Sequence, residues 1–329
     1  LSLPSFAHEL TTCNYLPAGQ AGAAFGIALM EMQKIKPEIH VLSADMSKPA
    51  GLDRFKTKYP KMFFNVGIAE QNLVGIAAGM ASEGKKVIVT AQAVFISMRS
   101  CEQIRQYMGY MHSNIIAVGI SSGFALTFFG NTHYAIEDIS IMRSVPGLTI
   151  LSPSDAGQSA KILSAAVELN APVYIRLTGV MNCPIVYHED YDYEVGKGIQ
   201  LKEGTDITIL ASGSMVYNSL KAADILEEKN ISVSVIDMHT IKPLDKEIIQ
   251  KHLNSKLFVS VEEHNIIGGL GTAISECLST IHDSPYLLRL GVMDKFSEPG
   301  DYPYLIEQNR LMPNEIAVDI SETFNSIKK

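Results

Sequence analysis

The chain has 329 residues, 47% hydrophobic and 19% charged, which is apolar material for roughly two domains of ordinary size. Its formal net charge of −8, with no basic stripe, excludes a general nucleic-acid binder. No apolar run reaches membrane-spanning length and the N-terminus lacks a basic-then-apolar signal pattern. Cys13, Cys101, Cys183 and Cys277 lie without metal-ligand spacing and read as reduced thiols of a cytoplasmic protein.

In chain order, residues 18–36 read as a helix through Ala23, Ala24, Ile27, Ala28 and Met30, closed by Pro37. Residues 41–45 form a buried strand that delivers Asp45 at its C-terminal end. In an open α/β sheet that end is where ligands collect, and an aspartate there is also a routine turn or cap residue.

The next stretch is Asn65-Val66-Gly67-Ile68-Ala69-Glu70-Gln71-Asn72 and the helix it opens. Leu73, Ile76, Ala77 and Met80 recur at helical spacing and predict a packed face. Gly75 and Gly79 leave a flat strip that another backbone can approach closely. Glu70 has two readings: a wet carboxylate favoured by the positive end of the helix dipole, or one carried into a packed place, where it needs a strong partner or a raised pKa.

Strands follow at 86–90, 115–119, 148–151 and 172–177, with helices at 96–110, 136–143 and 154–169 and a loop over 121–132. Residues 180–204 turn polar and turn-rich, and 186–204 reads as a linker. Beyond it, strands at 207–210, 233–236 and 257–261 alternate with helices at 215–229 and 272–280. Gly268-Gly269-Leu270-Gly271 opens the last helix as a weak candidate phosphate cradle, with no nucleotide fingerprint or Walker pattern to complete it. The alternation predicts an α/β chain of two domains, 1–185 and 205–329, each a mostly parallel sheet covered by helices.

Gly67-Ile68-Ala69-Glu70-Gln71-Asn72, followed by Gly75-Ile76-Ala77-Ala78-Gly79, resembles the segment with which transketolases and deoxyxylulose-phosphate synthases hold the aminopyrimidine ring of thiamine diphosphate. Further phrases match in the same order. Thr132-His133, Glu137-Asp138-Ile139-Ser140-Ile141-Met142-Arg143 and Ser152-Pro153-Ser154-Asp155 resemble the pyrimidine-binding domain. Asp237-Met238-His239-Thr240-Ile241-Lys242-Pro243-Leu244-Asp245 and the stretch from Glu262 to Gly271 resemble the transketolase C-terminal domain.

The resemblance implies that Glu70 hydrogen-bonds a pyrimidine ring nitrogen and favours the imino tautomer, which removes the thiazolium proton. The cofactor carries the hard chemistry and the protein supplies a dry, oriented carboxyl group. Phe95 is implied against the ring face, with an ordinary core aromatic as the alternative. Gln92 stands where the family has another Phe. His133 matches a histidine that reaches the substrate, able to donate to a developing alkoxide or relay a proton, whereas His264 reads as structural.

The family anchors the diphosphate through a divalent cation on a Gly-Asp-Gly aspartate, and this sequence contains no Gly-Asp-Gly. The resemblance therefore implies no metal on this chain, and a partner subunit that carries the diphosphate-binding domain and the Mg2+ or Ca2+, in an α2β2 assembly. Three departures bear on the carbonyl substrates. Phe129, in Thr127-Phe128-Phe129-Gly130, replaces an aspartate that reads sugar hydroxyls; Ser121 replaces a substrate-contacting histidine; and two phosphate-clamping arginines align with Gly22 and Gly179. At roughly 1.5–3 kcal/mol for each charged hydrogen bond, an ordinary pentulose phosphate fits poorly. The expected substrate set is Asp45, Ser121, Phe129 and His133.

The expected function is thus that of a subunit of a two-chain, thiamine-diphosphate-dependent transketolase-like enzyme, moving a two-carbon ketol or acyl unit to an aldehyde or ketone. Two alternatives stay open: the β subunit of a 2-oxo-acid dehydrogenase, and a non-catalytic assembly or regulatory subunit.

Overall fold

The computed structural model describes residues 21–178 and 183–327; Cys13 and Gly179 lie outside them. Helix α1 (Ala21–Ile35) leads to β1 (Ile39–Ser43), a short α2 (Asp53–Lys58), β2 (Phe63–Asn65), α3 (Glu70–Ser82) and β3 (Lys86–Gln92). Then come α4 (Ala93–Met98), β4 (Ile115–Ser122), α5 (Asp138–Arg143), β5 (Thr149–Leu151), α6 (Ala156–Leu169) and β6 (Val173–Thr178). Gly22 falls in the first turn of α1.

The first sheet has the order β10-β5-β6-β4-β3-β1-β2, where β10 is Thr240–Lys242 from later in the chain, and it is parallel except at β10. Its central strands are buried on both faces, as a sheet covered on both sides requires.

The second unit holds β7 (Ile199–Lys202), β8 (Ile207–Ala211), α7 (Met215–Glu227), β9 (Val233–Asp237), β10 (Thr240–Lys242), α8 (Lys246–Lys251), β11 (Leu257–Asn265), α9 (Leu270–Leu278), β12 (Tyr286–Val292), α10 (Tyr302–Gln308) and α11 (Pro313–Ile327). Its sheet runs β12-β11-β8-β9-β7, with only β7 antiparallel. Strand β10 leaves this unit to pair antiparallel with β5, Thr240 opposite Leu151. One apolar cluster spans both units, from Leu73 and Val89 to Ile236 and Phe258. The two halves are therefore interlocked by a lent strand and a shared core.

Four local expectations change. The 186–204 stretch is not a free tether: it contains β7, and it is tied to the rest of the chain by Tyr187 donating to Asp237 at 2.7 Å and Lys161 to Asp190 at 2.6 Å. The helix expected at 96–110 breaks after α4 into a short turn and a π-helical stretch, Ile104–Tyr110. Ser97 and Ser100 there bond back to the carbonyls of Ala93 and Ile96, at 2.6 and 2.7 Å, which bends a helix. In α3, Leu73, Val74, Ala77 and Ala78 face the core while Ile76 is 38% exposed beside Gly75 and Gly79.

The fourth is the glycine-rich stretch before α9, which cradles no external phosphate. Its first amides, Leu270 and Gly271, donate to the buried Glu262 carboxylate at 2.7 and 2.8 Å. Burial lifts the Glu262 pKa to about 7, against the opposing effect of those two amides.

Candidate active site

Strands β1, β3 and β4 are parallel neighbours, and Asp45, Gln92 and Ser121 lie at their C-terminal ends. Such an edge gathers ligands in open α/β sheets. Asp45, exposed and at a φ of 58°, braces the motif turn: its carboxylate accepts from Asn65 Nδ2 at 2.9 Å. Asn65 Oδ1 in turn accepts the amides of Asp45 and Gly67, each at 3.0 Å. Ser121, half-buried at a φ of 56°, opens the segment that carries Phe129 and His133.

Glu70 is the first residue of α3 and only 3% exposed, so the wet reading is corrected. Its partner is Arg99, whose Nη1 donates to both carboxylate oxygens at 3.0 and 2.8 Å. The same guanidinium sits 4.1 Å from the centroid of the Phe95 ring, a cation–π contact. Phe95 meets His133 edge-on at 5.2 Å, His133 stacks on Phe129 at 4.6 Å, and Phe129 lies 4.4 Å from Phe128. A continuous line therefore runs from Glu70 through Arg99, Phe95 and His133 to Phe129. Thr132 Oγ1 lies 2.9 Å from His133 Nδ1.

Gln92 stands at the N-terminus of α4, and its side-chain carbonyl is buried without a hydrogen-bond partner among the described residues. A buried acceptor left unpaired calls for an occupant. Asp45 and Ser121 share the sheet edge with this line, but the hydrogen bonds of Asp45 run to the Asn65 turn rather than to the line itself.

Arg99 was missed by sequence reasoning. Its signal was spacing: it follows Phe95 by four residues, so both share one helical face. Also missed was a buried ionic junction behind the site. Arg176 Nε donates to both Asp138 oxygens, at 3.0 and 2.9 Å, and its Nη2 donates to the carbonyls of Ala135 and Glu263, each at 3.0 Å. His264 is fully buried, and burial lowers its pKa to about 4, so it is neutral at pH 7. Among the described residues no group of three acidic, His or Cys side chains is placed to hold a metal ion, and no helix is long and apolar enough to cross a membrane.

Comparison with known proteins identifies the family. Residues 20–179 match the transketolase pyrimidine binding domain, and residues 196–316 match the transketolase C-terminal domain. The chain belongs to the transketolase family. Among its relatives, an apulose-4-phosphate transketolase subunit of Phocaeicola vulgatus is 38% identical over 275 residues, covering 83% of this chain and 87% of that protein. A 6-deoxy-6-sulfo-D-fructose transketolase subunit of a Clostridium species is 36% identical over 291 residues, 88% and 89% of the two chains. A solved structure described as a split-gene transketolase, an inactive beta4 tetramer, superposes with a TM-score of 0.85 at 37% identity, covering 93% of this chain and 99% of that one. In this transketolase-family chain, Glu70, Phe95 and His133 all fall within the matched pyrimidine-binding domain.

Proposed function

We infer that this chain is the pyrimidine-domain subunit of a two-chain, thiamine-diphosphate-dependent transketolase that moves a two-carbon ketol or acyl unit between carbonyl compounds. The observation that carries the reading is the Glu70 carboxylate, 3% exposed and next to the Phe95 face through Arg99. With the unpaired Gln92 carbonyl, and with Arg99 displaced from the carboxylate and the ring face it covers, these groups would fit an aminopyrimidine ring: a carboxyl group for a ring nitrogen, an aromatic face for the ring plane, and an acceptor for an exocyclic amine.

When bound, the cofactor supplies the carbon nucleophile that breaks and forms the carbon–carbon bond. Glu70, itself buried, would hold the cofactor's ring nitrogen through a fixed hydrogen bond, and Phe95 would orient the ring by its face. His133, held beside Phe95 and Phe129, donates to the oxygen of the reacting carbonyl. Phe128, 80% exposed, and Phe129, 48% exposed, give the substrate wall an apolar surface where sugar-hydroxyl readers are expected. This supports a substrate less hydroxylated than an ordinary pentulose phosphate, with Asp45 and Ser121 at its edge.

The Mg2+ or Ca2+ and the diphosphate are assigned to a partner subunit in an α2β2 assembly. Support comes from relatives of similar length that are themselves named as subunits, and from the similar solved structure described as a split-gene transketolase, an inactive beta4 tetramer. The test is a titration of thiamine diphosphate, with and without Mg2+, into this chain, into a chain carrying the diphosphate domain, and into their mixture. Tight binding and turnover are expected in the Mg2+-containing mixture alone. Glu70→Gln should abolish turnover, by at least about 100-fold, and leave assembly intact; full activity of that variant would refute the role given to Glu70.

A further inference from the structure

The second unit supplies none of Glu70, Arg99, Phe95 or His133, yet one of its carboxylates reaches the base of the segment that carries His133. Glu263 of β11 is 2% exposed. Its Oε1 accepts the Phe124 amide at 2.6 Å, and its Oε2 accepts the Tyr302 hydroxyl at 2.7 Å and the Ser214 hydroxyl. Gly123, just before, has a φ of +63°, and a Cβ there would fall 2.2 Å from Glu263 Oε1. This turn is shaped around the carboxylate, and only glycine meets both demands.

The far end of the segment returns to the same residue. Ala135 and Gly123 exchange both backbone hydrogen bonds, at 2.9 and 3.0 Å. Arg176 Nη2 joins the Ala135 carbonyl to the Glu263 carbonyl, at 3.0 Å each. Between the ends, Phe124 meets Tyr134 edge-on at 5.1 Å, and Asn131 Nδ2 donates to the Ser297 carbonyl at 2.9 Å. Phe129 and His133 ride on a segment whose anchors belong mostly to the other unit.

We propose that Glu263 is a positioning residue: through the Phe124 amide and the Gly123–Ala135 bridge it fixes the 123–135 segment and so sets where His133 and Phe129 stand against the substrate. A buried carboxylate is costly to keep, and here all its hydrogen bonds come from groups that define the base of the segment and the two second-unit elements it leans on. The consequence for turnover rests on the function proposed above; the ordering of the segment does not.

Two variants separate the outcomes. Glu263→Met keeps side-chain length and leaves the Phe124 amide unpaired. Glu263→Gln retains an acceptor for that amide and lets the two hydroxyls reverse direction. Amide hydrogen exchange in this chain alone should quicken about tenfold or more over 123–135 in the Met variant, with β8 and β9 unchanged, and stay near wild type in the Gln variant. Gly123→Ala, which presses on the carboxylate from the loop side, should loosen the same segment.

In the mixture with the diphosphate-domain chain, and with hydroxypyruvate as the probe donor, KM should rise in the Met variant and recover in the Gln variant, with thiamine diphosphate affinity unchanged. Unaltered protection of 123–135 in a folded Met variant, or a Gln variant as impaired as Met, overturns the proposal. Absence of turnover in the wild-type mixture counts against the proposed function alone, since the exchange measurement needs neither partner nor cofactor.

Discussion

A single nitrogen of Arg99 holds both oxygens of Glu70, and the guanidinium that carries it covers the Phe95 ring. Arg99 thereby fills the two places, beside the carboxylate and over the aromatic face, that a pyrimidine ring would use. One partner is 45% exposed and the other 3%, so solvent weakens the ion pair, but without it the buried carboxylate is left unpaired.

Arg99→Met should therefore cost this chain about 1–2 kcal/mol, read as a lower Tm in thermal unfolding. With partner and thiamine diphosphate present, the variant should regain more Tm than the wild type does, because a ring nitrogen takes over the vacated carboxylate. Equal gains in both proteins would show that arginine and cofactor do not share the site.

The glycines of α3 lead to a second expectation. A Cβ built on Gly75 or Gly79 meets nothing within 4 Å, Ile76 between them is 38% exposed, and Ile68, just before the helix, is 75% exposed. Gly79→Ala should stabilise the isolated chain by about 0.5–1 kcal/mol through helix propensity. If another backbone lies against this strip, Gly79→Leu should weaken assembly at least about tenfold, since a packed interface does not absorb the added volume. Sedimentation of the variants with and without partner reads both effects, and undiminished assembly of the Leu variant removes α3 from the interface.

Much of the frame was legible because it depends on local pattern. Residues 115–119 are apolar without interruption, as a short strand buried on both faces is, and β4 is that strand. Partnerships set by tertiary structure were not legible. Whether Glu70 is wet or buried turns on Arg99, 29 residues along the chain. The candidate phosphate cradle before α9 looks open in sequence because nothing marks Glu262, on the preceding strand, as the anion that fills it. Strand β10 has three residues, too few for a period, and owes its place to an unpaired edge of the other unit's sheet. The site residues read from motif phrases do converge from Glu70 to Phe129, but the link that joins them, Arg99, belongs to none of the phrases.

Phe129 offers a direct test of substrate class. Its ring stacks on His133 at 4.6 Å, so it both shapes the wall and holds the imidazole. Phe129→Asp introduces an acceptor for substrate hydroxyls, and it should raise the preference for a pentulose phosphate over a deoxy analogue by about tenfold or more, as hydrogen-bonded hydroxyl recognition does. The measured quantity is the ratio of kcat/KM values for the two donors in the assembled enzyme. A wild type that already uses xylulose 5-phosphate efficiently would overturn the argument drawn from Phe129.

Asp237 sets the last expectation, on stability against pH. It is fully buried, its Oδ2 accepts from Tyr187 at 2.7 Å and Gln158 at 2.8 Å, and its Oδ1 has no partner among the described residues. Burial raises its pKa to about 7, with nearby Asp155 adding to the rise and its hydrogen-bond donors opposing it. The folded chain thus holds this proton more tightly than the unfolded chain, whose value is 3.8. The stability it contributes is full below pH 4 and is lost as pH climbs through 7. His239 and His264, both lowered to about 4 by burial, act in the opposite sense, and their contribution is lost as pH falls from 6.5 towards 4. Subtracting wild type from Asp237→Asn cancels the histidines and isolates the aspartate. The variant's stability advantage over wild type should be about 3 kcal/mol larger at pH 8 than at pH 5. Urea unfolding at the two pH values measures the difference, and a variant that loses stability equally at both would show that Asp237 is ionised and usefully paired across the whole range.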